Sequence, residues 1–325
     1  MTSPPPIRRR SALALPALLA TPALAQTAWP DRPVRVLMGF PPGGPTDFVG
    51  RFTAAGLQGE LGQTMVFENR PGANSVLAAE AVARAAPDGQ TLLFSSNSLV
   101  MNASVYARLP YDPVGSFAPI GMVATSPNVL WCGASQPWRN LDEMVAAAKA
   151  RPGTLGYAST GNGGNGHFGG ETLRQALGID ITHVPYRGTA PALLDVMAGR
   201  VPLMLQTLVG AIGPYRENQL RPLVVFGPQR APELPDVPTL KELGHEVADS
   251  GVWFGVLAPA GTPAPIVLRA SQALSTFLAK PEARAQLATQ ASVPFYAGPE
   301  EFAARIRTDV GAWAEVARRA GMRAE

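Results

Sequence analysis

Apolar residues along this chain fall into two alternating patterns. Short, nearly continuous apolar runs such as Val34-Arg35-Val36-Leu37-Met38 read as strands buried on both faces. Between them lie Ala- and Leu-rich stretches with apolar positions at helical spacing, such as Phe48, Phe52, Ala55 and Leu57. On this pattern, strands are predicted at 34–39, 64–67, 91–95, 118–124, 128–132, 155–158, 181–185, 202–206, 221–226 and 252–257. Helices are predicted at 47–61, 73–86, 98–106, 140–150, 167–177, 190–199, 211–218, 238–243, 264–279, 281–290 and 299–319. Such alternation predicts an α/β architecture with mainly parallel sheets. No low-complexity linker interrupts it, so a chain of two domains would pass between them by strands. The runs 120–128 and 251–257 are the two candidate crossings.

Several strand–loop–helix junctions share one chemistry. Gly39-Phe40-Pro41-Pro42-Gly43-Gly44-Pro45-Thr46-Asp47 follows the first strand and opens the first helix. A Gly/Pro-rich loop at that place aims unpaired backbone N–H groups, and the positive end of the helix dipole, at an anion. The loop contains no Lys or Arg, which suits a carboxylate that must be released again. Ser159-Thr160-Gly161-Asn162-Gly163-Gly164-Asn165-Gly166-His167 repeats the arrangement. So do Tyr186-Arg187-Gly188-Thr189-Ala190-Pro191, before the helix carrying Asp195, and Ser95-Ser96-Asn97-Ser98. In open α/β sheets such loops gather beyond the carboxyl ends of the strands, where ligands bind.

The N-terminus changes the charge argument. Arg8-Arg9-Arg10, the apolar stretch 11–19 and Ala23-Leu24-Ala25 have the order of an export signal cleaved near Ala25, by either the Sec or the twin-arginine route. The full chain carries 27 Lys+Arg against 24 Asp+Glu; without the three leader arginines the counts are equal. No basic excess remains to point to nucleic acid. The single cysteine, Cys132, cannot form an internal disulfide and reads as a buried thiol. A periplasmic, monomeric protein is expected.

Catalytic and cofactor motifs fare poorly. Gly161-x-Gly163-x-x-Gly166 matches the dinucleotide fingerprint, but the position for a ribose-binding acid falls near Pro185-Tyr186-Arg187, so no cofactor is expected. The three histidines are far apart in sequence, with no spacing for a metal. A secreted hydrolase or isomerase using Ser159 and His167 is the alternative reading, without a third orienting residue. Asp47 reads either as a capping acid or as a ligand contact, and His167 either as an anion donor or as a structural histidine. Asp195 reads as an exposed helical acid. Trp131, Trp138 and Trp253 read as core residues, with Trp253 on a candidate crossing.

Taken together, the motifs resemble a family. They are Trp29-Pro30 with Pro33-Val34, the 39–47 loop with Arg51, Glu68-Asn69-Arg70-Pro71-Gly72-Ala73, Pro87-Asp88-Gly89, Leu109-Pro110-Tyr111-Asp112-Pro113, His167 with Gly170-Glu171, Val184-Pro185-Tyr186-Arg187-Gly188, Leu234-Pro235-Asp236-Val237-Pro238-Thr239 and Ala258-Pro259-Ala260-Gly261-Thr262-Pro263. The chain resembles, over almost all of its mature length, the Bug family of periplasmic solute-binding proteins of the tripartite tricarboxylate transporter type. The resemblance implies a type II periplasmic-binding-protein fold: two α/β lobes (26–124 with 253–325, and 125–252) joined by two crossing segments around a ligand cleft. It implies capture of a small carboxylate-bearing solute (a di- or tricarboxylate, amino acid or aromatic acid) for the membrane subunits of a transporter or for a sensor kinase. The implied ligand-binding residues are Phe40, Pro42, Gly43, Gly44, Thr46, Asp47, Asn97, Ser159, Thr160, Gly161, Asn165, His167, Gly188, Ala190 and Asp195. Departures from the family pattern are Asn74-Ser75 where glycines are usual, Ala103 where proline is common, Gly115-Ser116 in place of an aspartate, and Phe168-Gly169 where Leu-Ala is usual.

Overall fold

The computed structural model describes residues 1–2, 29–245 and 251–323. Apart from residues 1–2, the predicted leader and its cleavage site lie outside the described residues. The element order is β1 (Val34–Met38), α1 (Pro45–Leu61), β2 (Met65–Asn69), α2 (Val76–Ala83), β3 (Thr91–Ser96), α3 (Ser98–Val105), β4 (Phe117–Ser126), β5 (Asn128–Gly133), α4 (Leu141–Ala150), β6 (Leu155–Ser159), α5 (Asn165–Leu177), β7 (Ile181–Pro185), α6 (Thr189–Met197), β8 (Leu203–Thr207), α7 (Leu208–Arg216), β9 (Leu220–Phe226), β10 (Val252–Pro259), α8 (Ala264–Ala279), α9 (Pro281–Thr289), β11 (Val293–Ala297) and α10 (Pro299–Ala320).

The strands form two sheets, ordered β11-β4-β10-β3-β1-β2 and β7-β6-β8-β5-β9. Pro127 alone separates β4 of the first sheet from β5 of the second, and the chain returns to the first sheet at β10. The sheets are mixed rather than mainly parallel. The pairs β1–β2, β1–β3, β6–β7 and β6–β8 are parallel, as βαβ units require. The strands flanking the passages, β4, β5 and β10, pair antiparallel with their neighbours.

Both faces of each sheet are covered, which accounts for the continuous apolar runs. Val36, Met38 and Phe94 pack under α1 and α8, while Leu37, Leu93 and Trp253 pack with residues of α2, α3 and α10. In the second sheet Leu130, Tyr157 and Leu205 face α4 and α5, while Trp131, Ala158 and Met204 face α6 and α7. Cys132 is buried, and burial pushes its thiol pKa up. Trp253 is fully buried and donates from Nε1 to Asp309 Oδ2 (2.8 Å). Phe168 of α5 is also fully buried, yet it belongs to the core of the other sheet, with its ring edge-on to Trp313 at 5.3 Å.

Three elements differ from the sequence pattern. The predicted helix at 73–86 begins with Ala73, Asn74 and Ser75 in left-handed conformation (φ 46°, 50° and 76°), and α2 starts only after them. A side chain at Gly39 would collide with Ser75 there. The predicted helix at 238–243 is a turn. Thr239 N donates to Glu242 Oε2 (2.8 Å) and Glu242 N to Thr239 Oγ1 (3.1 Å), so the capping-box signature is satisfied with no helix after it. The edge strand β11 has no counterpart in the prediction because Pro294 demotes that run, and an edge is where a strand tolerates proline.

Gly170 on α5 provides a test of this packing. Helix propensity alone favours alanine over glycine by about 1 kcal/mol. An added Cβ would overlap the Tyr157 ring, which is buried and tethered by its hydroxyl donating to Glu171 Oε1 (3.1 Å). Gly170→Ala is expected to lower stability by about 1–3 kcal/mol in urea unfolding. A gain in stability would contradict this close approach.

Candidate functional site

Two loops are built to the same local plan. Gly44 is the N-cap of α1 and Gly164 the N-cap of α5; both are extended, and neither helix start is capped by a side chain. The residue before each cap, Gly43 or Gly163, is left-handed (φ 83° and 66°). Its N–H is taken by the side chain three residues beyond the cap. Gly43 N donates to Asp47 Oδ2 (3.0 Å), and Gly163 N donates to His167 Nδ1 (3.2 Å). The remaining first-turn N–H groups have no acceptor within the helix and stay available.

Asp47 is itself held from behind. Arg51 Nε donates to Oδ1 (3.0 Å), as does Asn69 Nδ2 (2.7 Å), which also donates to Phe40 O (3.1 Å). Burial raises the Asp47 pKa, but the Gly43 N–H, Asn69 and Arg51 together outweigh it and hold the carboxyl below its usual range. His167 stacks on His183 (centroids 3.9 Å apart, planes 9° from parallel), and His183 Nε2 lies 2.6 Å from Ser159 Oγ. Accepting from Gly163 requires an unprotonated Nδ1 on His167, and burial lowers the pKa of both rings.

These loops border a cavity of about 790 Å³. Phe40, Pro42, Gly43, Gly44 and Thr46 line it from the first loop, and Thr160, Gly161 and Asn165 from the second. Asn97, Gly188 and Ala190 complete the expected residues found there. The other expected residues do not line it. Asp47 and His167 are spent bracing their loops. Ser159 is fully buried against His183, so the imagined Ser159–His167 pair does not form. Asp195 accepts from the Tyr186 hydroxyl (2.6 Å) and from Arg200 Nε (2.7 Å); the Tyr186 and Arg200 bonds hold its carboxyl below the usual range.

The cavity also has walls that the sequence pattern did not single out. Gln206 and Thr207 end β8, and with the following helix predicted to begin at 211 rather than 208, that junction went unrecognised. Gln206 Nε2 donates to Thr189 Oγ1 (3.0 Å) and its Oε1 accepts from Thr207 N (2.8 Å), so it ties the starts of α6 and α7 together. Tyr106 closes a predicted helix and Val252 and Phe254 lie on a candidate crossing, so no loop chemistry marked them as walls, and Asn74 stood out only as a departure from the family's glycines. Asn74 Nδ2 donates across the cleft to Gly163 O (2.9 Å), and Asn97 Nδ2 donates to Asn165 Oδ1 (3.1 Å).

The starts of α1, α3, α5 and α6 thus reach this cavity without side-chain caps, whereas at α7 Leu208 N donates to Pro127 O (2.9 Å) and Val209 N to Ser126 Oγ (3.2 Å). Among the described residues no acidic side chain lines it, and Arg187 is its one formally charged residue. Nor do the described residues contain a group of three or more His, Cys, Asp or Glu placed to hold a metal ion. The chemistry on offer is anion binding by oriented backbone dipoles.

Two mixed sheets around such a cleft define the periplasmic-binding-protein class. The chain belongs to the tripartite tricarboxylate transporter receptor family, whose sequence profile matches residues 49–322. Three solved structures are similar to it. Periplasmic binding protein BugD is 33% identical, with a TM-score of 0.84 over 91% of this chain and 100% of that one. Rpa4515 from R. palustris, solved with adipate, is 32% identical with a TM-score of 0.86 over 91% and 99%. MatC from Rhodopseudomonas palustris, with bound malate, is 32% identical with a TM-score of 0.81 over 89% and 99%. Among the described residues no helix is long and apolar enough to cross a membrane.

The stacked histidines make the second loop sensitive to acid. Burial, and then the neighbouring His167, push the His183 pKa down from 6.5 to about 3. Glu171 and Arg174 also act on this pair: for His167, Glu171 opposes the effect of burial and Arg174 adds to it. Between those two pKa values the unfolded chain binds more protons, so the stability present above the unfolded pKa is lost as pH falls toward the folded one. Melting temperature is expected to drop between pH 6.5 and about 5, above the carboxylate range. Calorimetry over a pH series should show that slope flattened in His183→Gln; an unchanged slope would remove His183 from the account.

Proposed function

We propose that this protein is a non-enzymatic periplasmic receptor for a small carboxylate-bearing solute. In this reading a lobe on each sheet (26–124 with 253–325, and 125–252) closes on the solute, and the closed form is what a transporter's membrane subunits or a sensor kinase recognises. The receptor is exported behind its leader and acts as a monomer. The observation that carries the reading is the convergence of uncapped helix starts on a cavity whose described walls hold no acid. Adipate and malate in two relatives accord with it.

The energetics suffice without a buried arginine. A carboxylate at a helix N-terminus gains about 0.3–1 kcal/mol from the dipole, and up to about 2 when partly buried. Each charge-assisted hydrogen bond adds about 1.5–3 kcal/mol. A few such bonds reach roughly the 8 kcal/mol of micromolar affinity, after the cost of ordering the cleft. The ligand contacts proposed are Phe40, Pro42, Gly43, Gly44, Thr46, Asn97, Thr160, Gly161, Asn165, Gly188 and Ala190. Asp47 and His167 act by holding their loops in shape.

Protein unfolded, dialysed free of ligand and refolded should be screened by thermal shift against organic acids, amino acids and neutral controls. A bound acid at a hundredfold excess over Kd stabilises by about 2.7 kcal/mol, a rise of several degrees. No shift with any carboxylate would sink the proposal.

A further inference from the structure

We infer that Asn74 and Phe168 form a clasp between the two lobes, which holds this cleft shut before any solute enters. This deepens the receptor reading and rests on it for the role of closure. Each of the two residues sits in one lobe and is held by the other.

Asn74 stands between β2 and α2 of the first lobe, and its Nδ2 donates to Gly163 O (2.9 Å) in the second. Gly163 is the left-handed glycine whose own N–H is taken by His167. The second loop is therefore braced from within by its helix and from across the cleft by Asn74. Asn74 is set for that bond in advance. Asn102, fully buried on α3, accepts from Asn74 Nδ2 (2.9 Å) and donates to Asn74 O (3.0 Å) and to the Tyr111 hydroxyl (3.2 Å). The backbone that presents Asn74 is strained, because Ala73, Asn74 and Ser75 are all left-handed and none is glycine. Strain of this kind persists where a function depends on it, and here it aims a side chain at the opposite lobe.

Phe168 makes the other half. It sits on α5 of the second lobe, yet it is fully buried in the core of the first, edge-on to Trp313 of α10 (5.3 Å). Edge-on aromatic pairs gain beyond the area they bury. Between the two halves no gap is left. A Cβ at Gly163 would meet Val105 Cγ2 of α3 at 2.9 Å, and Asn97 Nδ2 donates to Asn165 Oδ1 (3.1 Å).

All of these contacts are made by the chain with itself, and none uses a solute atom. Opening breaks the Asn74 bond and draws the Phe168 ring out of apolar surroundings. The open form is then the minor one, and a solute is taken up through it. A glycine at position 74 could not make the bond, and a leucine at 168 could not make the ring contact. The clasp is therefore particular to this chain rather than to the family pattern.

The test is a distance measurement across the cleft, by double electron–electron resonance, on protein unfolded, dialysed free of solute and refolded. Spin labels are placed at Leu77→Cys on α2 and Leu194→Cys on α6, both exposed and one on each lobe, while the native Cys132 is buried. The labelled protein should show one short distance. Adding Asn74→Gly and Phe168→Leu should bring in a longer one, with the open population raised about tenfold or more. Asn74→Gly alone, which leaves the apolar cores intact, should raise it in smaller proportion. Glycine suits left-handed angles and leucine keeps its site apolar, and circular dichroism melts check that the variants stay folded. A labelled parent found mostly at the longer distance, or a double variant that keeps the parent's short one, would overturn the inference while the receptor reading stood. Absence of any carboxylate shift in the thermal screen would sink the receptor reading and leave these distances where they are.

Discussion

The amide of the left-handed glycine in each main loop is taken by a side chain from the first turn of the following helix: Gly43 by Asp47, Gly163 by His167. The rest of the cleft depends on that constraint. A loop rich in Gly and Pro has many conformations open to it, and fixing each residue costs about 1–2 kcal/mol in backbone entropy. The brace selects the one conformation in which the helix's unpaired N–H groups face the cavity. Arg51 and Asn69 fix Asp47, and His183 fixes His167 by stacking, so each brace is anchored in turn.

Much of this was legible in the chain. The junctions at 39–47 and 159–167 could be located because each glycine-rich loop follows an apolar strand. What was not legible was the role of the third residue past each cap. An acid or a histidine at a helix start looks the same in sequence whether it faces a ligand or folds back on its own loop. Only the distance to the preceding amide separates the two. Gln206 escaped notice for a different reason: it ends an apolar strand in a junction with no glycine, and its function depends on Thr189, which only the fold brings beside it.

The departures from the family pattern find physical settings. Asn74 and Ser75 hold left-handed angles where glycine is the ordinary choice, and asparagine is among the side chains that tolerate them best. Asn74 also uses its amide to reach across the cleft to Gly163, a bond no glycine could make. Gly169, beside Phe168, lies against Asn128 and Leu205, where a larger residue would crowd the strand behind it.

Phe168 belongs by chain to the second sheet and by contact to the core of the first, where it meets Trp313. A motion that parts the two sheets would draw that ring into water, at a cost of about 1.5–3 kcal/mol for a side chain of its size. That cost falls on opening alone and touches no atom of the cavity. A contact of this kind favours the closed form with or without a solute, so it slows release and tightens apparent affinity together while the contacts to the solute stay the same. Two receptors with identical cavities but different residues at this point would bind with similar contacts and let go at different rates.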